Sequence, residues 1–361
     1  MPNLSLQIES ARREVPVILG NSLWPRLLDF VREHFPEHSI YVIADSNLVS
    51  HYDEEIISHF STLDHFREIL SFPAGENSKS RRWKTCLEDA MIRHRAGRDS
   101  LLLAIGGGVT GDLAGYVAAS LFRGIPYIQV PTSLLAMVDS SIGGKVGLNH
   151  PRGKNLIGAF YHPRAIFMDL DFLSTLPQEE FRSGLAEVCK YAVILPGDLW
   201  ELLEKNIEQI LKKEPDVLQR VVSRCAELKM KVVATDEMEE GYRTLLNFGH
   251  TVGHAIEKIS HYNIKHGFAV AAGMDTALHL SEKMLGFPAP RREAFSALLE
   301  RFGLNQVSAA EYEFDRIWQI IQLDKKARRR KARFTLLEAP GKPRLLVPVG
   351  KAELRRAIGP A

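Results

Sequence analysis

The strongest constraint on the fold is an alternation of short apolar runs with amphipathic segments between residues 40 and 170. Five runs are typical of strands, and they cover residues 39–47, 65–72, 100–107, 125–131 and 164–170. Residues 80–97 between them have a helical pattern, with Gly97 just past its end. Strands that alternate with helices predict an α/β fold with a mostly parallel sheet.

The pattern changes after Leu176-Pro177, where helical periodicity replaces the strand-like runs. Residues 199–213 carry an apolar stripe at helical spacing, which Pro215 interrupts and residues 216–233 resume. Little of the chain from there to about residue 325 resembles a strand. The sequence therefore predicts a helical region after the α/β region.

A chain of 361 residues has the length for two domains, each with its own core. We predict an α/β domain at residues 1–176 and an all-α domain at residues 177–361. Residues 1–20 indicate two short strands, and a strand-like tail follows Lys326.

The composition is that of an ordinary globular enzyme, with 45% hydrophobic and 25% charged residues. A net charge of +2 gives no reason to expect a nucleic-acid partner. The N-terminus lacks the apolar core of a signal peptide, and no apolar run approaches the roughly 18 residues of a membrane span. The three cysteines are scattered and have no C-x-x-C spacing, so we expect a reducing, cytoplasmic location without a membrane association.

A glycine-rich turn indicates a nucleotide site. Gly106, Gly108 and Gly111 fit G-x-G-x-x-G between a strand and an apolar helix, where backbone N–H groups can approach a pyrophosphate. The match lies on a late strand, and no acidic residue follows about 20 positions on, so we predict an atypical Rossmann-like domain. Asp45, at the end of another strand, is the better candidate for ribose hydroxyls. The alternative is a tight strand–helix turn without a ligand.

A group of histidines indicates a metal site. His250 and His254 share one helical face, and His266 follows shortly after. A catalytic zinc typically has three protein ligands and one open position. All three histidines could be ligands, or one could be an outer partner or proton carrier while Glu187, an acid on an apolar segment, completes the set. The alternative is a set of core or surface imidazoles.

Several basic residues stand in glycine-flanked or apolar contexts, and together they favour anionic ligands. They are Lys145, Lys154, Lys190, Arg243 and the pair Lys325-Lys326. Each one alone could be a solvated surface charge. We interpret the dense run 328–333 mainly as a solvated face.

These residues occur in an order that resembles the 3-dehydroquinate synthase family over nearly the whole chain. The matching segments are FPAGENSKS (72–80), GGGVTGDLAGYVAAS (106–120), PTSLLAMVDSSIGGKVGLN (131–149), GKNLIGAFYHP (153–163), LAEVCKY (185–191), DEMEEGYRTLLNFGHTVGHAIE (236–257), HGFAVAAGM (266–274) and DKK (324–326). In combination these motifs are very specific.

The resemblance implies an N-terminal NAD-binding α/β domain, an all-α metal-binding domain and a homodimer. It implies that Glu187, His250 and His266 bind zinc or cobalt, with His254 on the substrate side or handling a proton. The NAD+ contacts it implies are Asp45, Ala74, Gly75, Glu76, Asn77, Ser78, Lys79, Gly108, Val109, Thr110, Gly111, Asp112, Thr132, Ser133, Lys145, Lys154, Phe172, Leu173, Ser174 and Thr175. The substrate contacts it implies are Arg123, Asp139, Lys145, Lys154, Asn155, Lys190, Arg243, Asn247 and either Lys325 or Lys326.

The resemblance also implies a reaction, the conversion of the sugar-acid phosphate DAHP to 3-dehydroquinate and phosphate in the shikimate pathway of aromatic amino acid biosynthesis. It proceeds by transient oxidation, phosphate elimination, re-reduction and intramolecular aldol closure, which makes the enzyme a lyase. The alternatives are other sugar-phosphate cyclases of the 2-deoxy-scyllo-inosose synthase type, or metal-dependent polyol dehydrogenases. The sequence departs from the family at Phe268, where Glu is frequent, and at Ser133, where Thr is usual.

Overall fold

A computed structural model describes residues 14–323 and 332–359. Its ten strands are β1 (Val17–Gly20), β2 (Ser39–Asp45), β3 (Phe66–Phe72), β4 (Ser100–Gly106), β5 (Tyr127–Pro131), β6 (Lys145–His150), β7 (Gly153–Phe160), β8 (Ile166–Asp169), β9 (Ala332–Ala339) and β10 (Lys342–Val349). The first helices of the described residues are α1 (Trp24–His34), α2 (Ser46–Phe60), α3 (Arg81–Arg93), α4 (Gly108–Ser120) and α5 (Phe172–Thr175). The later helices are α6 (Gln178–Ile194), α7 (Leu199–Lys205), α8 (Ile207–Leu211), α9 (Pro215–Thr235), α10 (His250–Ile259), α11 (His266–Leu285), α12 (Ala289–Arg301), α13 (Phe314–Leu323) and α14 (Lys351–Ile358).

Six strands form one parallel sheet in the order β1-β8-β5-β4-β2-β3. Every residue of β4 is buried, because helices cover both faces of the sheet and apolar side chains are favoured on both. From β2 the chain passes to β3 on one side and then to β4 on the other. The strand order therefore reverses between β2 and β4, and ligands of open α/β sheets bind outside the strand ends at such a point.

The predicted parallel sheet is confirmed, and all five predicted strand runs contain a strand of it. The predicted helix within residues 80–97 ends earlier than expected, at Arg93, because Arg95 adopts a left-handed φ of 65°. Residues 199–213 form two short helices that meet at Asn206. Of the two short strands expected within residues 1–20, β1 (Val17–Gly20) is one, and residues 1–13 lie outside the described range.

The antiparallel hairpin β6–β7 was not predicted, although it carries Lys145, Lys154 and Asn155. Its strands contain glycines that face each other across the pair, Gly147 and Gly158. These glycines, together with polar residues on both faces, hide the two-residue alternation that marks a strand. The hairpin therefore has no clear signal in the sequence. In the structure it packs beside α4, the helix that follows the glycine turn.

The C-terminal region is mainly helical, as predicted, but the expectation that it is all-α is wrong. The strands β9 and β10 form an antiparallel hairpin, which corresponds to the strand-like tail after Lys326. It packs against α11, where the Leu337 N–H donates to the Ser281 hydroxyl at 2.9 Å. The domain boundary at residue 176 stays a prediction. None of the helices in the described ranges has the length and apolar character needed to cross a membrane.

The helices α6 and α10 both cross α11 with their main chains in contact. A Cβ atom built on Gly267 would lie 2.0 Å from the Ser183 carbonyl oxygen of α6. One built on Gly273 would lie 1.9 Å from the Gly249 carbonyl oxygen, just before α10. Since Cβ atoms never approach so closely, only glycine allows these helices to cross as they do. The crossings bring together Glu187 of α6, His250 of α10 and His266 of α11.

Candidate metal and nucleotide site

The glycine turn joins the end of β4 to the start of α4. No side chain caps the first N–H groups of α4, so they remain available to an anionic group. Gly111 has a different role, because a Cβ there would lie 2.1 Å from the side-chain Nε2 of Gln129 in β5. The turn therefore has the features of a phosphate cradle: free N–H groups at the helix start and close packing of that helix against the sheet.

Asp45 ends β2 directly beside this turn. One of its oxygens accepts from the N–H groups of Asn47 and Leu48 at 3.0 and 3.2 Å, which caps α2. The other oxygen accepts from the Thr110 hydroxyl at 3.1 Å. The structure thus brings Asp45 to the point where the strand order reverses, with its carboxylate already fixed by neighbours.

The loop that contains Glu76 and Lys79 lies against the β6–β7 hairpin. Lys79 is buried and forms an ion pair with Asp112 and a hydrogen bond with Asn155. Glu76 accepts from Asn149 Nδ2 at 2.7 Å and lies 3.9 Å from Lys154 Nζ. Burial acts to raise the pKa of Glu76, but Lys79 and Lys154 hold it below its usual value.

The remaining residues expected to contact the nucleotide line the same edge of the sheet. Thr132 donates its N–H to the Gly106 carbonyl at 3.0 Å, and Ser133 Oγ accepts from Ala136 N at 3.3 Å. Phe172 and Leu173 of α5 are buried, and Thr175 shares a 2.7 Å hydrogen bond with Tyr52. The other residues of this set are Ala74, Gly75, Asn77 and Ser78 in the loop before α3, Val109 in the first turn of α4, and Ser174 in α5.

The three candidate metal ligands come from three helices and meet at one point. Glu187 is fully buried, and its Oε1 lies 3.6 Å from both His250 Nε2 and His266 Nε2. The three ligand atoms lie within 4.8 Å of one another. Four ligands about 2.0–2.1 Å from a tetrahedral zinc stand roughly 3.3–3.4 Å apart. The donor set and its spacing therefore fit a metal ion with one position left open.

The charges around two of these ligands, Glu187 and His250, suit metal binding. Burial acts to raise the pKa of Glu187, but the Lys190 ammonium holds it at about 2, so the carboxylate is ionised. Burial and Lys190 lower the pKa of His250 to about 3, so its imidazole is neutral. Oε1 of Glu187 is buried and has no hydrogen-bond partner within the described residues. A buried anionic oxygen of this kind is expected to have a cation beside it.

Glu257 is an important residue of the site that sequence reasoning missed. It is 1% exposed, and its Oε1 lies 2.8 Å from Lys154 Nζ and 3.3 Å from His266 Nδ1. Its signals in the sequence are its place at the end of the family-like segment 236–257 and its position one turn after His254 in an apolar stretch. His254 itself is exposed. One of its ring nitrogens lies within 4.8 Å of a Glu257 oxygen and a His266 nitrogen.

A second group of charges surrounds Asp139, which lies in a short π-helix at residues 136–140. Its Oδ1 accepts from Tyr191 Oη at 2.5 Å and from Lys229 Nζ at 2.7 Å. Burial acts to raise the pKa of Asp139, but Lys229 and then Lys190 hold it well below its usual value. Lys229 was not predicted, and it is 4% exposed. Buried lysine–carboxylate pairs thus run from Asp139 to Glu187.

Three other residues expected to contact substrate, Arg243, Lys145 and Asn247, have fixed partners. Arg243 is buried and donates to the carbonyls of Glu237 and Gly143 at 2.5 and 3.1 Å. Lys145 pairs with Glu239, which also accepts from Asn247 Nδ2 at 3.0 Å.

Arg123 is not brought into this network. It is exposed in the turn after α4, and among the described residues it makes no hydrogen bond or ion pair. Lys325 and Lys326 lie outside the described residues. Phe268, the departure from the family pattern, is 3% exposed and belongs to the hydrophobic core.

Comparison with solved structures defines the class of protein. The chain is similar to 2-deoxy-scyllo-inosose synthase in complex with carbaglucose-6-phosphate, NAD+ and Co2+, at 31% identity over 95% of both chains and a TM-score of 0.88. A 2-epi-5-epi-valiolone synthase from Streptomyces hygroscopicus subsp. jinggangensis, 23% identical over 98% of both chains, has the same fold with a TM-score of 0.88. The fold is thus that of the sugar-phosphate cyclases.

The sequence comparisons go further. The N-terminal 3-dehydroquinate synthase family model matches residues 69–183, and the C-terminal one matches residues 184–327. The 3-dehydroquinate synthase of Pseudoalteromonas translucida is 38% identical over 358 residues, which cover 98% of this chain and 99% of that protein. The chain belongs to the 3-dehydroquinate synthase family.

Proposed function

We propose that this chain converts DAHP to 3-dehydroquinate and inorganic phosphate, with Glu187, His250 and His266 binding a divalent metal and the sheet edge binding NAD+. One observation carries the proposal: the Glu187, His250 and His266 cluster is joined to the nucleotide loop through Glu257, Lys154 and Glu76. Metal and nucleotide would therefore reach the same substrate.

Glu187, His250 and His266 would hold a metal that could polarise a substrate hydroxyl, and the sheet edge would hold NAD+, which would supply reversible hydride transfer. The chain's own residues supply position and charge. We assign the pyrophosphate to the N–H groups at the start of α4 and to Lys79, which pairs with Asp112 of that helix. The buried Lys190 keeps Glu187 ionised, and the neutral His250 offers a lone pair.

The substrate of this reaction carries a phosphate and a carboxylate, and the site offers cations for both. Lys145 is half-exposed and pairs with Glu239, so a substrate anion can replace Glu239 as the partner of its ammonium group. Arg243 is fixed by two backbone carbonyls, which orient its guanidinium. We assign Lys154, Asn155, Asn247 and Asp139 to the same pocket, and His254 to proton handling at its exposed edge.

Several finer assignments belong to the proposal. We propose that the enzyme is a lyase, because the hydride is returned and phosphate is eliminated. The metal is zinc or cobalt, and the enzyme works as a homodimer in the shikimate pathway. The cytoplasmic location stays a prediction; it is supported by the sequence, in which the three cysteines have no disulfide spacing.

The deciding experiment measures phosphate release from DAHP with NAD+ and zinc present, and then with each withheld, while absorbance reports NADH. We expect phosphate and 3-dehydroquinate in equal amounts, catalytic use of NAD+, sensitivity to a chelator and no accumulation of NADH. Stoichiometric NADH would instead indicate a polyol dehydrogenase. The similar 2-deoxy-scyllo-inosose synthase binds carbaglucose-6-phosphate, so we choose the corresponding sugar phosphate, glucose 6-phosphate, as the control compound; its turnover with none of DAHP would contradict the proposal.

A further inference from the structure

Glu257 lies between the metal cluster and the loop that contains Glu76. No catalytic step described above requires it. It lies on α10, seven residues after His250, so both side chains project from one face of that helix. It is 1% exposed, although a carboxylate is rarely buried so deeply without partners. Its two partners, His266 and Lys154, come from α11 and from β7.

The contact with His266 fixes which nitrogen of that ring can bind a metal. Glu257 Oε1 accepts from the Lys154 ammonium at 2.8 Å, and a carboxylate in such an ion pair offers only acceptor oxygens. The His266 Nδ1 atom, 3.3 Å away, must therefore carry the proton. Nε2, which lies 3.6 Å from Glu187 Oε1, is then free to bind a metal.

The contact with Lys154 uses the same oxygen. Lys154 Nζ lies 2.8 Å from Oε1 of Glu257, 3.9 Å from Glu76 and 4.7 Å from the ring of Tyr262. The other oxygen, Oε2, is buried and has no hydrogen-bond partner in the described ranges. One oxygen thus serves both a metal ligand and a lysine of the anion pocket, so the two contacts compete for its charge.

We propose that Glu257 is a positioning residue that holds His266 in its metal-binding tautomer and shares its charge with Lys154. The inference rests on the metal centre of the proposed function. It has a directional consequence. Removing the Glu257 charge weakens the support of His266, whereas removing Lys154 leaves the whole charge to His266.

The test is zinc affinity, measured by competition with a chromophoric chelator in the absence of substrate. We expect Glu257→Gln to bind zinc about 10- to 100-fold more weakly than the unmodified chain, which is the usual cost of losing such an outer partner. Lys154→Met is expected to bind zinc as tightly or more tightly. The visible spectrum of the Co2+-loaded Glu257→Gln variant should also differ, because the orientation of His266 changes.

Glu180→Gln is the matched control. Glu180 pairs at 2.7 Å with Lys265, the residue before His266. The Glu180 side chain is 47% exposed. We expect a change of less than about twofold in zinc affinity, since exposed pairs contribute little.

The outcomes separate this inference from the proposed function. Unchanged zinc affinity in Glu257→Gln, or equal losses in Glu257→Gln and Lys154→Met, would overturn the positioning role while leaving the metal centre intact. Failure of the unmodified chain to bind zinc or cobalt would remove the metal centre itself, and the inference with it. Circular dichroism of each variant shows whether a loss reflects unfolding.

Discussion

At the ends of β2 and β4 the nucleotide side of the site presents backbone N–H groups and the partly exposed Asp45, whereas the metal side is built on buried charges. Asp45 accepts hydrogen bonds from the N–H groups of Asn47 and Leu48 and from the Thr110 hydroxyl, so its carboxylate is satisfied without a buried countercharge. Glu187 and Lys190, by contrast, are at most 1% exposed and depend on each other. A change on the first side should lower an affinity, and a change on the second should affect the fold as well.

The largest expected effect is on the metal side, in His250→Ala. Losing one of three ligands should remove bound zinc and reduce turnover by about a thousandfold or more, since charge stabilisation by a metal is worth several kcal/mol. Metal analysis and steady-state kinetics check this. His279→Ala is the control, because His279 is on α11 but pairs with Asp275 away from the cluster. Normal zinc content in His250→Ala would contradict the ligand assignment.

The next effect tests the dependence of the buried charges on each other. Lys190→Met should destabilise the metal-free protein by about 3–5 kcal/mol, because Glu187 is left buried without its partner. Urea unfolding with a chelator present measures the free energy of unfolding. A loss below about 1 kcal/mol would show that the metal side does not depend on buried pairs.

Lys145→Ala is the exposed counterpart of that variant. Its side chain is 47% exposed, so the free energy of unfolding should change by less than about 1 kcal/mol. Turnover should fall about 10- to 100-fold, as expected when one charged contact to an anion is lost, while NAD+ still binds. Fluorescence titration with NAD+ and phosphate release measure the two effects, and unchanged kinetics would remove Lys145 from the substrate pocket.

The smallest effect is expected for Asp45→Asn. Asparagine caps a helix as well as aspartate does, so stability should change by less than about 0.5 kcal/mol. NAD+ affinity should fall by about fivefold, because a charge-assisted contact to a ribose hydroxyl is weakened. Calorimetric titration measures this. An unchanged NAD+ affinity would mean that Asp45 only caps α2.

The same contrast explains what could be foreseen from the sequence. Strand runs, the glycine turn and Asp45 carry local signals, because a strand end and the residues after it are adjacent in the chain. Glu257 and Lys229 could not be foreseen, since their partners Lys154 and Asp139 are 103 and 90 positions away. The β6–β7 hairpin escaped notice because glycines replace the side chains whose alternation marks a strand. The role of each predicted site residue stays a prediction until the variants are measured.

The glycine crossings at Gly267 and Gly273 also bear on protein engineering. Grafting the two histidines and the glutamate onto another helical scaffold would reproduce the chemistry of the ligands but not their spacing. At these crossings the main chains themselves are in contact, so a recipient scaffold with alanine at either place would hold its helices too far apart. A transferable centre therefore needs, besides the residues that bind and support the ion, two positions that carry no side chain.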